Sequence, residues 1–335
     1  MNEDRYILGI DTSCDDTSAA IVRNGDSILS NIVSSQSDIH SKYGGIVPEL
    51  ASRSHVEMIW PVVQEALFRA KKGLDDLDAV AVCYGPGLIG SLLVGCSFAK
   101  SICYSRDIKL LGVNHLEGHI FASVLDEMSP AFPFLSLVVS GGHSSLYRIE
   151  GFSRYEELGR TRDDAVGEAY DKVAKMLGLG YPGGPVIDEL SRKGRSDSIK
   201  FPRPYLPDSL DLSFSGLKTA VRNFIHKNEK NEMVSSEDIC ASFQRAVVDV
   251  LVRKAEWAIK RTGIKRLAIS GGVAANSELR ESMKLMAEEK DVELFVPPVH
   301  LCTDNAAMIA SAGYMHLMNG KRSDMTLNPK AYLPL

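Results

Sequence analysis

The chain contains 335 residues, of which 44% are hydrophobic and 24% charged, and its net charge is −5. These values are typical of a soluble globular protein with about two domains. No apolar run approaches the roughly 20 residues that a membrane-spanning helix needs. The acidic balance does not indicate a general nucleic-acid binder.

The cysteines and the N-terminus predict a cytoplasmic protein. The six cysteines are scattered and form no C-x-x-C pair, so we expect buried, free thiols in a reducing compartment. The first residues lead directly into a strand-like segment, and we expect neither a signal peptide nor a transit peptide.

The N-terminal segment is predicted to form a β-meander. An apolar strand over Tyr6–Ile10 reaches Asp11, small hydroxylated residues turn the chain, and a second strand returns to Val22. Gly25-Asp26 suits a hairpin turn into a third strand over 27–33. Asp11 therefore stands at a strand end, where it could hold a metal-bound water or act as an ordinary turn aspartate.

Helices and strands are then predicted to alternate. The pattern gives a helix around 47–70, a buried strand over 78–83, a helix of small residues to about 104 and a strand over 110–113. A glycine-rich turn, Gly85-Pro-Gly, opens the second of these helices. That helix packs inside its own lobe or makes a close contact with another helix.

The motif His115-Leu-Glu-Gly-His119 indicates a metal site. On a helix, histidines four residues apart project from one face and can bind one ion, although this spacing also arises in ordinary amphipathic helices. A protease zinc helix places its glutamate directly after the first histidine. Glu117 comes one position later, roughly 200° around the helix from His115. The motif therefore argues against the usual metalloprotease.

The second half repeats the opening design. Strands ending in Ser140-Gly-Gly and Ser270-Gly-Gly are followed by a return strand and by a helix, respectively. A last strand is expected over 292–296 and a helix over 304–319. We therefore predict an α/β protein of two duplicated lobes with an active-site cleft between them. The expected bounds are 1–130 for the first lobe, onto which the tail 321–335 packs, and 131–320 for the second, with a helical insertion over 153–260.

Glycine-rich turns after strands favour a phosphate or nucleotide site. Glycine lets the backbone approach a ligand closely, and its exposed N–H groups can bind phosphate oxygens, although any tight turn needs glycine. The segment Gly178–Pro185 precedes a second candidate, a helix with Pro185 at its first position, whose N-terminus would favour an anion. The helix over 164–175 and the basic segment 191–203 are equally consistent with solvated surface.

Asp304 is the candidate for a third metal ligand. It lies where the last helix should begin, so it is either a helix cap or a partner of the two histidines. Two histidines and one carboxylate with open positions suit Fe(II) or Zn(II).

Eight motifs give the chain a resemblance to a known family along its whole length. They are Gly9-Ile-Asp-Thr-Ser-Cys-Asp-Asp-Thr17, Gly85-Pro-Gly-Leu88, Asn114-His-Leu-Glu-Gly-His119, Val139-Ser-Gly-Gly-His143, Gly180-Tyr-Pro-Gly-Gly-Pro185, Ser213-Phe-Ser-Gly-Leu-Lys218, Ser270-Gly-Gly-Val-Ala-Ala-Asn276 and Thr303-Asp-Asn-Ala-Ala-Met308. In this order they resemble the bacterial tRNA N6-adenosine threonylcarbamoyltransferases, once known as O-sialoglycoprotein endopeptidases. The resemblance implies the fold of the actin, Hsp70 and sugar-kinase superfamily (ASKHA fold).

The family resemblance also implies a reaction, a metal and substrate-binding residues. The reaction is transfer of a threonylcarbamoyl group from L-threonylcarbamoyladenylate to N6 of adenosine 37 in ANN-decoding tRNA, which forms t6A and releases AMP. The metal would be one divalent ion, iron(II) or else zinc(II), on His115, His119 and Asp304. The adenylate would be held by Val138, Val139, Ser140, Gly141, Gly142, Asp171, Gly184, Asp188 and Asn276. No general base is implied, and Asp11 is a candidate only if it faces the metal.

The resemblance implies protein partners and leaves alternatives open. The family implies a paralogue, TsaB, that pairs through the first lobe, and an ATPase, TsaE. One departure concerns the metal: the archaeal and eukaryotic branch has a tyrosine ligand where this chain has Val138. The alternatives are a small-metabolite kinase of the same superfamily, an Hsp70-like nucleotide sensor and a metal-dependent glycoprotein endopeptidase.

Overall fold

The structure is a computed structural model that describes residues 4–125, 129–228 and 234–335. Its strands are β1 Tyr6–Asp11, β2 Asp16–Arg23, β3 Ser27–Ser35, β4 Ala79–Gly85, β5 Lys109–Asn114, β6 Phe134–Val139, β7 Ser144–Gly151, β8 Arg154–Arg160, β9 Arg266–Ser270 and β10 Glu293–Phe295. Its helices are α1 Ser37–His40, α2 Pro48–Ala70, α3 Ile89–Arg106, α4 His115–Phe121, α5 Val166–Met176, α6 Gly183–Ser191, α7 Ser215–Asn228, α8 Ser236–Thr262, α9 Ser277–Lys290, α10 Val299–Cys302 and α11 Ala306–Met318. Short 3₁₀ turns occupy 41–43, 74–76, 122–124 and 272–275.

Two five-stranded sheets repeat one topology. The strand orders are β3-β2-β1-β4-β5 and β10-β9-β6-β7-β8, so each sheet combines a three-stranded meander with two parallel strands. The first strand of each meander pairs in parallel with a later strand. Ile7 of β1 lies opposite Ala79 of β4, and Leu135 of β6 lies opposite Leu267 of β9. The predicted duplication of an α/β lobe is confirmed by these matching orders.

Contacts divide the chain into two compact units: residues 1–129 with 304–335, and residues 130–303. The sequence predicts residues 304–320 in the second lobe. In the structure they belong to the first unit, because α11 packs directly on β1 and β4. At Gly9 a Cβ would lie 2.1 Å from the Ala306 carbonyl oxygen, so a larger residue would separate the helix from the sheet.

Side chains of β1 point alternately to the two faces of the sheet in the first unit, and both faces are apolar. Leu8 and Ile10 of β1 point into a core formed with α2 and α3, whereas Gly9 lies against α11 on the other face. A sheet covered on both sides needs near-continuous apolar strands, which is what β1 and β4 provide.

The second unit has its core between its sheet and a layer of helices. Leu135, Leu137 and Val139 of β6 join a buried cluster with α5 and α8. The sequence predicts a helical insertion over about 153–260, and this expectation is wrong at residues 154–160, which form a strand. Residues 154–160 form β8, an edge strand whose largely charged, exposed side chains conceal its pairing with β7.

The cysteines and hydropathy agree with expectation. All six cysteines are free, and five of them are buried. Among the described residues, every helix is too short or too polar to cross a membrane.

Candidate functional site

Helix α4 places the two histidines next to each other in the first unit. Asn114 ends β5 and caps the helix, because its side-chain oxygen accepts a hydrogen bond of 2.8 Å from the Leu116 amide. His115 and His119 then lie one turn apart, with ring centroids 4.7 Å from each other and planes at 76°. Both side chains are buried.

Asp304, two residues before the start of α11, completes the group. Asn305, and not Asp304, caps that helix by accepting a hydrogen bond of 3.2 Å from the Met308 amide. The Asp304 carboxylate is therefore left to face the histidines. Its Oδ1 lies 3.4 Å from His115 Nε2 and 3.3 Å from His119 Nε2.

These three side chains fit a metal ion. One ligand atom from each can be chosen so that all lie within 4.8 Å of one another. His119 is fully buried, and among the described residues neither ring nitrogen has a partner with hydrogen-bond geometry, although Nε2 lies 3.3 Å from Asp304 Oδ1. A buried imidazole normally has a partner, and a cation bound at Nε2 would supply one. The predicted group could therefore hold a metal, whose identity the geometry leaves open.

The charges around His115, His119 and Asp304 also favour a bound cation. Burial lowers the pKa of His119, which keeps the ring neutral and able to bind a metal. Burial also opposes charge on His115, but the carboxylates of Asp304 and Asp11 outweigh it and raise the pKa of His115 well above its usual range. Two carboxylates around two buried imidazoles thus form an electronegative centre.

Asp11 contacts the edge of His115 that faces away from Asp304. Its Oδ2 lies 3.4 Å from His115 Nδ1, and Ser13 Oγ lies 3.2 Å from the same nitrogen. A carboxylate on the second nitrogen of a metal-bound imidazole fixes the ring orientation. Asp11, His115 and Cys83 also form a possible ligand group. Burial raises the pKa of the Cys83 thiol to about 12, so this group lacks a ready thiolate.

Glu117 points away from the metal group, as its position in the motif predicts. Its carboxylate pairs with His316 Nε2 of α11 at 2.8 Å, and both side chains are largely buried. The pair connects the helix that carries the histidines to the helix that follows Asp304. Glu117 is therefore a structural residue and not the general base of a peptidase.

Replacing Glu117 with glutamine tests this assignment. We expect Glu117→Gln to keep metal binding and t6A formation while the free energy of unfolding falls by about 1 kcal/mol, since one charge-assisted hydrogen bond weakens. Metal content, t6A yield and urea denaturation would be measured together. Loss of activity at full metal content would show that Glu117 takes part in the chemistry.

In the second unit, the two glycine-rich turns lie side by side. Val138 pairs with Ser270 across the sheet, so Ser140-Gly-Gly and Ser270-Gly-Gly leave the same edge. Gly271 has φ +91°, and a Cβ there would lie 2.3 Å from the Val139 carbonyl oxygen. Gly141 and Gly142, by contrast, have open space where a side chain would be. Exposed backbone with free space around it is what a phosphate-binding turn requires.

The remaining predicted substrate residues come from α5, α6 and the start of α9. Asp171 of α5 accepts a hydrogen bond of 2.8 Å from the Gly183 amide, which fixes the start of α6 beside Gly184. The sequence predicted Pro185 at the first position of α6, but it is the third residue of that helix. Proline is tolerated there because the amides of the first helical turn have no partner within the helix. Asp188 lies one turn further along α6 and accepts a bond of 2.8 Å from Ser277 Oγ.

Gln244 joins two of these residues and was not found from the sequence. Its Oε1 accepts a hydrogen bond of 2.6 Å from Asn276 Nδ2, and its Nε2 donates one of 3.2 Å to Asp188 Oδ1. The side chain is buried in the middle of α8. A glutamine inside a long helix gives no local signal of such a role.

The basic segment 191–203 is largely neutralised by neighbouring carboxylates. Arg192 pairs with Asp188 at 2.9 Å, Arg195 with Asp238 at 2.9 Å, and Arg203 with Asp249 at 3.0 Å. In α5, Lys172 pairs with Glu168 at 2.7 Å, as expected for surface pairs on a helix. The segment is therefore a weaker candidate for RNA contact than its composition suggests.

Comparison with solved structures defines the class of protein. HypF from T. kodakarensis superposes with a TM-score of 0.64 at 16% identity, covering 94% of this chain and 48% of that one. Component A of the (R)-2-hydroxyglutaryl-CoA dehydratase of Acidaminococcus fermentans gives 0.56 at 17% identity, covering 94% and 99%. These likenesses show the predicted ASKHA fold, and the first unit of this chain carries a largely buried histidine–aspartate group.

Sequence comparison identifies the family within that class. The family model "TsaD: tRNA N6-adenosine threonylcarbamoyltransferase" matches residues 27–311. Enzymes of that name from Thermodesulfovibrio yellowstonii and Clostridium perfringens strain 13 are 59% and 53% identical, each over 98% or more of both chains. The chain belongs to the tRNA N6-adenosine threonylcarbamoyltransferase family. It is an enzyme that transfers a threonylcarbamoyl group to tRNA and forms t6A, as the motifs predicted.

Proposed function

We propose that the donor is L-threonylcarbamoyladenylate and that the acceptor is N6 of adenosine 37 in ANN-decoding tRNA. The amine nitrogen bonds to the carbamoyl carbon, the carbon–oxygen bond to the adenylate phosphate breaks, AMP leaves, and the amine loses one proton. An exocyclic aromatic amine is a weak nucleophile, so positioning of the donor supplies much of the acceleration. The buried His115, His119 and Asp304 group in a chain of this family carries the proposal.

We propose iron(II) as the resident metal, with zinc(II) as the alternative. His115 Nε2, His119 Nε2 and an Asp304 oxygen would hold it, and mixed imidazole and carboxylate ligands suit either ion. When bound, the metal supplies Lewis-acid polarisation to the threonylcarbamoyl donor. Val138 is a fully buried residue of β6 and offers no ligand where other branches have a tyrosine. The protein would therefore offer the ion fewer ligands than those branches do.

The second unit would bind the adenylate. Of the predicted residues 138–142, Gly141 and Gly142 are exposed and would offer backbone amides to the phosphate together with the turn after β9, whereas the Ser140 amide already donates to the His143 carbonyl oxygen at 2.7 Å. Asp171, Gly184, Asp188 and Asn276 would hold the nucleoside part. The hydrogen bonds to Gly183, Ser277 and Gln244 keep the acidic and amide side chains of this set in place.

Asp11 is proposed as an orienting residue and not as the general base. It contacts Nδ1 of His115, on the ring edge opposite the nitrogen that faces Asp304. The base that takes the amine proton stays unassigned.

We further propose that TsaB docks on the first unit and that TsaE assists the reaction, in the cytoplasm. The observation that supports TsaB is a set of exposed apolar side chains on α2 and α3 of the first unit. Its members are Val56, Trp60, Phe68, Leu93 and Tyr104, with exposed fractions from 44% to 83%. Apolar helix faces of this kind mark protein interfaces.

Reconstitution tests the proposed function. Purified protein would be combined with threonylcarbamoyladenylate and tRNA, with and without TsaB and TsaE, and t6A would be measured by mass spectrometry. We expect stoichiometric AMP and t6A in the complete mixture and little product without TsaB. Product that requires ATP but not the adenylate would refute the donor, and full turnover by the chain alone would refute the partner requirement.

Replacing Gln244 tests the proposed adenylate-binding residues of the second unit. Gln244→Leu keeps the volume but leaves Asn276 and Asp188 without a shared partner, so we expect KM for the adenylate to rise about tenfold, the equivalent of one lost hydrogen bond. Ser242→Ala is the matched control, because Ser242 is also buried in α8 but binds the Ile199 amide instead. An equal rise in KM for both variants would show a general effect on α8.

A further inference from the structure

Helix α2 presents a fully buried histidine to the loop that follows β1. His55 Nε2 lies 3.0 Å from the Cys14 carbonyl oxygen, and Nδ1 lies 2.7 Å from Thr17 Oγ1. A carbonyl can only accept, so Nε2 carries the hydrogen and Nδ1 accepts from the threonine hydroxyl. Burial lowers the pKa of His55, which agrees with a neutral ring in this one tautomer.

The same loop touches the metal group at His115. Ser13, the residue before Cys14, has its Oγ 3.2 Å from His115 Nδ1. Asp11, at the start of the loop, accepts a hydrogen bond of 2.9 Å from the Ser13 amide and lies 3.4 Å from the same ring nitrogen. A shift of the loop backbone would therefore turn the His115 ring.

Helix α3 holds the other side of this loop. Thr12 Oγ1 donates a hydrogen bond of 2.8 Å to the Ser91 carbonyl, and the Leu88 amide donates one of 2.8 Å to the Ser13 carbonyl. Thr12 and Ser13 are thus fixed by α3, whereas Cys14 and Thr17 are fixed by His55 of α2. Without His55, the Cys14 carbonyl loses its hydrogen bond to α2, while the Asp15 carbonyl still accepts one of 3.1 Å from the Gln36 amide.

We infer that His55 is a positioning residue for the metal ligand His115, acting through the loop Thr12–Asp15. The inference rests on the metal role given to His115 in the proposed function. It assigns no chemistry to His55, which touches neither His115 nor Asp304. Partners on the second nitrogen of a metal-bound histidine typically change metal affinity 10- to 100-fold. His55 controls the position of those partners.

Titration of the full chain with Co²⁺, followed by visible absorption of the bound ion and by calorimetry, tests the inference without measuring turnover. We expect His55→Leu to weaken Co²⁺ binding about tenfold or more and to alter its spectrum. His55→Gln retains a side-chain donor for the Cys14 carbonyl and should recover most of the affinity and the spectrum. This second variant also keeps the test valid if His55→Leu folds poorly.

His40→Leu is the matched control for stability. His40 is equally buried, lies outside the loop that touches His115 and bonds to Gln36 at 3.2 Å. Gln36 Nε2 in turn lies 3.4 Å from His55 Nδ1, so His40→Leu also reports any effect that reaches the loop through Gln36 alone. We expect it to lower thermal stability while leaving Co²⁺ affinity and spectrum as in the wild type. Wild-type affinity in His55→Leu, or an equal loss in both leucine variants, would overturn the inference. Failure of the proposed function would appear separately, as wild-type protein that binds no Co²⁺ or forms no t6A.

Discussion

Replacing His115 with alanine is expected to remove the metal and to reduce t6A formation about 10³-fold, while the chain stays folded. Lewis-acid polarisation by a bound ion is worth several kcal/mol, and each 1.4 kcal/mol corresponds to a factor of about ten. His115 Nε2 is one of the two ring nitrogens that face Asp304. With this ring absent, two protein ligands are left, and tight binding of iron(II) or zinc(II) is lost.

The measurements for His115→Ala are metal content by mass spectrometry, t6A by nucleoside analysis and folding by circular dichroism. Because His115 also contacts Asp11 and Ser13, Asp304→Asn is a necessary second variant that leaves this edge of the ring intact. Both variants should lose metal and activity together. Glu117→Gln, on the same helix, should lose neither. Wild-type t6A formation by metal-free protein would disprove the metal role.

Local sequence predicted the elements well because their apolar periodicity matches their burial. The β1 and β4 strands are buried almost throughout, and α2 covers Pro48–Ala70, close to the predicted 47–70. The short charged strand β8 was missed, because an edge strand of exposed side chains has no apolar pattern. Assignment of α11 to the first unit depended on long-range packing against β1, which local pattern does not contain.

The candidate site likewise contains some residues that local sequence predicts and others that only tertiary contacts reveal. The spacing of His115 and His119 is a local signal, and the structure places Asp304 beside both rings. That Asp304 is free to face them follows from Asn305 acting as the cap, which decides between the two roles that the sequence left open for Asp304. Gln244 and His55 lie inside long helices, and their partners are 32 and 41 positions away in the chain, respectively. Such residues emerge only when tertiary contacts are known.

Gly271→Ala is expected to lower the free energy of unfolding by about 3 kcal/mol and to impair adenylate binding as well. Gly271 has φ +91° and ψ 160°, a backbone conformation that is essentially confined to glycine and costs other residues about 1–3 kcal/mol. An added Cβ would also lie 2.3 Å from the Val139 carbonyl oxygen. Because this contact is with backbone, relief requires that one of the two glycine-rich turns move.

Gly272→Ala provides the matched control at the next position. An added Cβ there meets no atom nearer than 3.9 Å, the Thr303 methyl, so stability and KM should change little. Thermal denaturation and KM for threonylcarbamoyladenylate, measured well below the melting temperature of each variant, separate folding from binding. If Gly271→Ala loses stability but keeps its KM, the turn after β9 supports the sheet without binding the adenylate. If KM rises in Gly271→Ala alone, the close packing of the two turns is what shapes the phosphate site.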